Sequence, residues 1–168
     1  RVLARCPPRS PSVSSASVAS EAGAQVIGLH AHAGSGIRTP DAWMQTARFL
    51  LTAIEHFPAV RILDLGGGLG VVEKPGRIAL DLAQVDEHLA RVKKDYPQYE
   101  LWLEPGRYIV AESGVLLARV HQTKSKGDIH YVGVDAGMHT FIRPALYGAW
   151  HEIVNLSRLG QEATRVVA

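Results

Sequence analysis

One feature of this 168-residue sequence restricts its fold more than any other. It is a short apolar run that leads into glycine, and the chain contains three such runs. They are GLHAHAGSG at 28–36, ILDLGGGLG at 62–70 and ELWLEPGR at 100–107. Two segments with apolar residues at helical spacing, 39–58 and 82–96, separate the three runs. The order predicts a βαβαβ unit with a parallel sheet, because parallel strands need a long crossover between them.

The ends of the two predicted helices carry sequence signals. Thr39 is the predicted N-cap of the first helix, Pro40 suits a first helical position, and Pro58 ends the segment. Pro97 ends the second helix in the same way.

The pattern changes after the third run. Two β-rich runs, 109–123 and 129–135, are separated by the polar stretch TKSKGD and by no helix of useful length. They predict a hairpin in a second, mainly antiparallel region. We therefore expect three parts: a poorly ordered or atypical segment over 1–24, an α/β domain over 25–110 and the start of a β-domain over 111–168.

Composition excludes several classes of protein. Eighteen basic and sixteen acidic side chains leave a net charge of +2, and no basic stripe indicates a nucleic-acid partner. The single cysteine, Cys6, excludes an internal disulfide framework. No apolar run approaches the roughly 20 residues that span a bilayer. We expect a cytoplasmic protein; residues 1–20 share their Ser and Arg content with organelle transit peptides, but we favour a poorly ordered end.

Polar residues at the strand ends point to a shared site. In a strand, residues i and i+2 face the same way, so His30 and His32 share a face. By the same alternation Asp64 and Glu104 oppose their leucine neighbours. Because carboxyl ends of parallel strands build sites in α/β folds, we expect His32, Asp64 and Glu104 to face one interior.

The glycine loops favour an anion, and phosphate in particular. In GGGLG, backbone without side chains brings several N–H groups close to an anion. EPGR adds a glycine N–H and the Arg107 fork, and AGSG adds the Ser35 hydroxyl. Each loop alone also fits an ordinary tight turn. Together, on neighbouring strands, the three loops favour phosphate binding.

A metal site is the competing interpretation. His30 and His32 have a spacing found in barrel metallohydrolases. None of the other six histidines ends one of the next two strands, and a metal would leave the glycine loops without a role. We therefore rank metal below phosphate and predict none.

Four stretches together, GLHAHAGSG, LDLGGGLG, LEPGR and GVDAGMHTFIRPALYGAWHEI, resemble one enzyme family over residues 25–155. This is the diaminopimelate decarboxylase branch of the fold-type III, alanine-racemase-like family of pyridoxal 5′-phosphate (PLP) enzymes. The resemblance implies the C-terminal part of a PLP-binding (β/α)8 barrel, followed by the start of a mainly antiparallel β-domain. It implies decarboxylation of an amino-acid substrate, meso-2,6-diaminopimelate, to L-lysine and CO2, the last step of lysine biosynthesis, by a homodimer with no membrane partner.

The resemblance also implies roles for individual residues. His32 and Glu104 are the expected catalytic residues, with His32 on one face of the pyridine ring and Glu104 at its nitrogen. The expected phosphate-binding residues are Ser35, Gly66, Gly67, Gly68, Gly106 and Arg107. Arg143 and Tyr147 are expected to hold the far carboxylate end of the substrate, and Asp135 to lie on the substrate side. His30 is then a polar interior residue. A carboxylate at the ring nitrogen suits decarboxylation, because a protonated ring accepts electrons better.

The chain departs from the family in its lysines. The family binds its cofactor covalently through a lysine on an early barrel strand. The lysines here lie in loops or on a helix: Lys74, Lys93, Lys94, Lys124 and Lys126. Three strands also cannot close a barrel of about 250 residues. We therefore expect a piece that is inactive alone.

Three alternatives stay open. Another basic amino-acid or polyamine decarboxylase of the same family would share most of the motifs. A non-catalytic PLP or phosphate binder would use the same loops, although RPALYGAWHEI speaks against it. A barrel metallohydrolase would use the histidine pair.

Overall fold

The computed structural model describes residues 4–5, 13–162 and 167. The chain forms two compact units. The first unit consists of residues 1–71 and 78–113, and the second of residues 72–77 and 114–168.

A four-stranded parallel sheet forms the centre of the first unit. Its strands are β1 (Ala4–Arg5), β2 (Gly28–His30), β3 (Ile62–Asp64) and β4 (Glu100–Trp102), in that spatial order. The predicted parallel pairing of the three apolar runs is therefore confirmed. The prediction of three strands was wrong by one, because β1 lies in the segment before residue 25, where no apolar run marks it.

Three helices accompany this sheet: α1 (Val13–Glu21), α2 (Ala42–Leu51) and α3 (Leu82–Asp95). The predicted N-cap of α2 was wrong. Asp41 is the N-cap, and Thr39 instead accepts a turn hydrogen bond from the Ala42 N–H at 3.3 Å. The helix also stops at Leu51, and a single 3₁₀ turn, Ile54–His56, completes the segment before Pro58.

Helix α3 has a side-chain cap. The Asp81 carboxylate accepts the Gln84 backbone N–H at 3.1 Å, which satisfies one of the free amides of the first turn. This bond is also the main reason why the pKa of Asp81 lies below its ordinary value of 3.8.

The hydrophobic core lies between the sheet and the two longer helices. Buried members on the strands and the two longer helices are Leu29, Leu63, Leu65, Trp43, Ala47, Leu50, Val85 and Val92. Each faces the core at the strand or helix spacing that the sequence predicts. The opposite faces of β2 and β3 carry Gly28 and Ile62 and, nearer the carboxyl ends, the polar His30 and Asp64.

The second unit contains an antiparallel hairpin, as predicted, but with different bounds. Strands β5 (Val120–Lys126) and β6 (Ile129–Val134) pair from Lys126 opposite Ile129. Only Gly127 and Asp128 form the turn, because Gly127 adopts the positive φ of +59° that a two-residue turn needs. Most of TKSKGD therefore belongs to β5, and the predicted strand start at residue 109 was wrong.

Short helices complete the described chain. Helix α4 (Arg107–Val110) follows β4 in the first unit. In the second unit, α5 (Arg143–Tyr147) ends at Gly148, whose φ of +59° gives the left-handed C-cap common after helices. A 3₁₀ turn at Leu156–Arg158 follows. No helix in the described residues combines the length and apolar character needed to cross a bilayer.

Candidate functional site

The loops that leave β2, β3 and β4 are joined by backbone hydrogen bonds at the carboxyl edge of the sheet. The Leu65 N–H donates to the Trp102 carbonyl at 2.9 Å, and the Glu104 N–H donates to the Gly66 carbonyl at 3.0 Å. The sheet register therefore continues past the strand ends and fixes the loops against one another.

The glycines of the GGGLG loop are required by this packing. Gly66 and Gly68 have φ of +68° and +87°, where side chains are strained. A Cβ on Gly67 would lie 2.0 Å from the Glu104 carbonyl oxygen, and one on Gly68 would lie 2.0 Å from that of Gly34. The close approach of the three loops therefore explains why residues 66–68 are glycine, with or without an anion.

The same loops offer an anion-binding group. The Arg107 guanidinium donates to the Ser35 Oγ at 2.7 Å, which joins the loop after β2 to the loop after β4. Among the described residues, the amides of Gly36, Gly68 and Gly106 donate to no other group. A Cβ on Gly106 would meet nothing within 4 Å, so the space beside this glycine is open. A cation, a hydroxyl and free amides on these loops suit a phosphate.

His32 is held by the glycine loop and is still exposed. Its Nδ1 accepts the Gly67 N–H at 3.0 Å. A Cβ on Gly66 would lie only 2.7 Å from the same Nδ1, so glycine is needed for the ring to approach. Because Nδ1 accepts, the neutral ring carries its proton on Nε2. A fixed imidazole with an exposed surface can stack against a planar ligand.

His30 rather than His32 lies beside the two carboxylates. His30 Nε2 and Glu104 Oε2 are 3.1 Å apart, and the buried Asp64 accepts the Gly66 N–H at 3.0 Å through Oδ1. One donor atom from each of His30, Asp64 and Glu104 lies within 4.8 Å of the other two.

The expectation that His32 faces one interior together with Asp64 and Glu104 stays a prediction. Strand β2 ends at His30, so the strict alternation of side chains stops before His32. The signal that identifies His30 is the sheet register, in which His30 is paired with Asp64 on β3. For the competing metal interpretation, the Nδ1 of His32 is already occupied by the Gly67 amide.

Arg143 binds a carboxylate within the second unit. Its Nη2 donates to Glu73 Oε1 at 3.0 Å, and its Nη1 lies 3.0 Å from His151 Nε2. The His151 ring packs edge-on against Phe141 at a centroid distance of 4.4 Å. Arg143 is thus held in a partly buried position with a carboxylate on its guanidinium.

Of the two other residues expected at the substrate, Tyr147 ends the helix that Arg143 begins, and Asp135 follows strand β6. Asp135 accepts the Arg119 backbone N–H at 2.7 Å and lies 3.6 Å from His121. The Arg119 hydrogen bond is the main cause of a pKa for Asp135 below its ordinary value of 3.8. Tyr147 is 72% exposed. Within the described residues no hydrogen bond links Asp135, Arg143 and Tyr147 to one another.

Comparison with protein families matches residues 12–111 to the pyridoxal binding domain of pyridoxal-dependent decarboxylases. A diaminopimelate decarboxylase from Methanothermobacter thermautotrophicus is 35% identical over 156 residues, which cover 84% of this chain and 35% of that protein. One from Deinococcus radiodurans is 38% identical over 133 residues, 79% of this chain and 33% of that protein.

Solved structures are similar as well. A crystal structure of diaminopimelate decarboxylase from Helicobacter pylori complexed with L-lysine matches with a TM-score of 0.70 and 30% identity. The match covers 83% of this chain and 36% of that one. The chain spans about a third of the length of the curated relatives it matches.

Proposed function

The chain belongs to the pyridoxal-dependent decarboxylases, through their pyridoxal-binding domain, and we propose that it supplies phosphate-, ring- and substrate-binding residues for decarboxylation of meso-2,6-diaminopimelate to L-lysine and CO2. The parallel sheet and the family match confirm the expected fold, part of a PLP-binding (β/α)8 barrel. The observation that carries the proposal is the Arg107–Ser35 hydrogen bond beside free glycine amides.

The first unit offers more hydrogen-bond donors for the phosphate than for any other part of the cofactor. Arg107 supplies positive charge, Ser35 supplies a hydroxyl, and the amides of Gly36, Gly68 and Gly106 supply neutral donors. Charge-assisted hydrogen bonds of this kind are about twice as strong as neutral ones. Gly66 and Gly67 act indirectly, because they allow the loops to pack and hold His32.

His32 and Glu104 are the residues proposed for the ring. His32 is fixed by the Gly67 amide and would stack on the face of the pyridine, and Glu104 would accept a hydrogen bond from the N–H of the protonated ring. When bound, PLP accepts the electron pair that is left when the C–CO2 bond of the substrate breaks. A carboxylate at the nitrogen supports that chemistry, because it stabilises the protonated ring.

Arg143, Tyr147 and Asp135 are proposed to bind the substrate. The contact of Arg143 with the Glu73 carboxylate supports the proposed role, because a guanidinium pairs in the same way with a substrate carboxylate. Tyr147 offers an exposed hydroxyl. The identity of 31–38% to curated diaminopimelate decarboxylases supports this substrate over ornithine or arginine.

Assembly and domain organisation are part of the proposal. We propose a cytoplasmic homodimer, with an α/β domain over 25–110 and a β-domain that starts at 111. The division of units between Ser113 and Gly114 supports that boundary. Highly exposed apolar side chains such as Val115 and Ile153 support burial in an interface. Light scattering of the whole protein tests the dimer.

Titration with PLP tests the phosphate site. Arg107→Ala is expected to weaken PLP binding, whereas Arg91→Ala, which removes an exposed ion pair with Glu87 on α3, should leave it unchanged. Equal binding by both variants would contradict the proposal. Tight binding of Zn²⁺ without binding of PLP would favour the metallohydrolase instead.

The substrate requires a second assay. In a protein that carries these residues together with the lysine-bearing strand of the family, we expect CO2 release from meso-diaminopimelate to exceed that from ornithine, arginine and carboxynorspermidine. A preference for any of the latter three would identify a neighbouring decarboxylase. A protein that binds PLP but releases no CO2 would be a non-catalytic binder.

A further inference from the structure

His30 forms a hydrogen bond for which the proposed function gives no role. Its Nε2 lies 3.1 Å from Glu104 Oε2. Because an ionised carboxylate only accepts, His30 is the donor. The His30 side chain is 16% exposed and belongs to β2 in the middle of the sheet, whereas the Glu104 side chain is 53% exposed and lies beyond the end of β4. The better fixed partner therefore holds the more mobile one.

Glu104 needs such a partner because only its backbone is fixed by the loops. The Gly66 carbonyl accepts its N–H, but the side chain has three rotatable bonds and faces solvent on one side. The buried Asp64 carboxylate lies within 4.8 Å. Two negative groups at this separation repel, which draws Glu104 towards solvent unless a donor holds it in place.

We infer that His30 is a positioning residue that holds the Glu104 carboxylate for the ring nitrogen of the cofactor. The hydrogen bond occupies Oε2, while Oε1 of Glu104 accepts from no other described residue. His30 thus fixes one oxygen and leaves the other available. This inference rests on the proposed function, since it assigns His30 a task only if Glu104 meets the ring.

Two ligands that differ at the ring nitrogen can test the contact between Glu104 and that nitrogen. Pyridoxine 5′-phosphate carries the phosphate and the ring nitrogen and has no aldehyde to react with lysines. Its 1-deaza analogue has a CH group in place of that nitrogen. The phosphate contacts of both are the same, so a variant that disturbs only the Glu104–nitrogen contact weakens the first ligand and spares the second.

We expect His30→Ala in the full chain to weaken pyridoxine 5′-phosphate binding about tenfold, the usual effect of losing a hydrogen bond to a charged group, and the 1-deaza ligand less than about twofold. His30→Gln keeps an N–H donor and should restore most of the affinity. In the Glu104→Ala background His30→Ala should add nothing, because no side-chain oxygen remains for His30 to hold. His56→Ala, which removes another histidine 3.5 Å from a glutamate in the first unit, is the matched control.

The outcomes separate this inference from the proposed function. Equal loss of both ligands in His30→Ala and in His30→Gln would make His30 a merely structural residue and overturn the inference. Unchanged affinity for both ligands would also overturn it. Failure of the unmodified chain to bind either ligand would overturn the proposed function itself and, with it, the inference. Circular dichroism of each variant separates loss of binding from loss of folding.

Discussion

The two units of this chain prepare their proposed site residues in different ways. In the first unit, backbone hydrogen bonds join the neighbouring loops, and side-chain bonds such as Arg107 to Ser35 link groups proposed for the cofactor across these loops. In the second unit, the residues proposed for the substrate have separate contacts, such as Arg143 with Glu73 and Asp135 with the Arg119 amide, or are exposed like Tyr147. Backbone contacts set by strand register are hard to change without unfolding the sheet. The groups proposed for the cofactor are therefore prebuilt within the first unit, whereas those proposed for the substrate are less tightly fixed within the second.

The largest expected effect comes from breaking the loop packing of the first unit. Gly67→Ala places a Cβ 2.0 Å from the Glu104 carbonyl oxygen, where backbone cannot move cheaply. We expect the free energy of unfolding to fall by about 3 kcal/mol, the upper range for overpacking. Unfolding in urea measures this free energy.

Gly106→Ala is the matched control for this substitution. Its Cβ would meet nothing within 4 Å, and its φ of −90° is not the left-handed conformation of Gly66 and Gly68. We expect stability to stay within about 0.5 kcal/mol of the unmodified chain, as at ordinary surface positions. Equal losses in the two variants would mean that loop contact does not explain the glycines.

The next largest effect distinguishes the two units by the ligand whose binding is weakened. Arg107→Ala should weaken PLP binding by roughly 10- to 100-fold, the range for lost hydrogen bonds between charged groups. Arg143→Ala should leave PLP binding nearly unchanged and should weaken the diamino-acid substrate instead. Calorimetric titration measures the binding of PLP. Substrate kinetics, in a protein that also carries the lysine-bearing strand of the family, measure the effect on the substrate. Equal loss of cofactor and substrate in each variant would contradict the division of roles.

A change of pH is expected to have a smaller effect on stability. One aspartate in each unit contributes to it. Asp81 and Asp135 both accept backbone N–H groups, and the pKa of each is lowered from 3.8. A lowered pKa in the folded state means that the contribution to stability is complete above 3.8 and is lost as the pH falls below it. We expect Asp81→Asn and Asp135→Asn each to flatten the fall of the unfolding temperature between pH 5 and pH 3, relative to Asp128→Asn in the hairpin turn.

The smallest expected change concerns covalent attachment of the cofactor. Lys93 already donates to the carbonyls of Pro97 and Tyr99 at 2.8 and 2.7 Å, and Lys124 lies over the Tyr131 ring. We expect borohydride reduction in the presence of PLP to modify none of the five lysines stoichiometrically. Mass spectrometry of the digested chain measures this, and full modification of one lysine would contradict the expectation.

Much of the first unit could be predicted from the sequence, because alternation and glycine punctuation are local signals. They give the three strands, the parallel order and the carboxyl-edge placement of Asp64 and Glu104. The hydrogen bond between His32 and the Gly67 amide could not be predicted, because these residues meet only in the folded sheet. Once the strand stops at His30, the alternation rule no longer applies.

Other features depend on contacts between distant segments. The sequence gives no sign that Gly67 is excluded from carrying a side chain by the Glu104 carbonyl, since these residues meet only in the folded sheet. Strand β1 has two residues and is defined by pairing with β2, which no local pattern reveals. In the second unit, Lys124 and Lys126 look like turn residues but belong to β5, because the exposed hairpin places no apolar requirement on them.

The most direct test follows backbone amides by NMR while pyridoxine 5′-phosphate is added to the chain. If the loops after β2, β3 and β4 form one phosphate site, the amide signals of Gly36, Gly68 and Gly106 should shift together, and Arg107→Ala should abolish the shifts. Shifts that are absent from these three amides, or that persist in Arg107→Ala, would contradict the account.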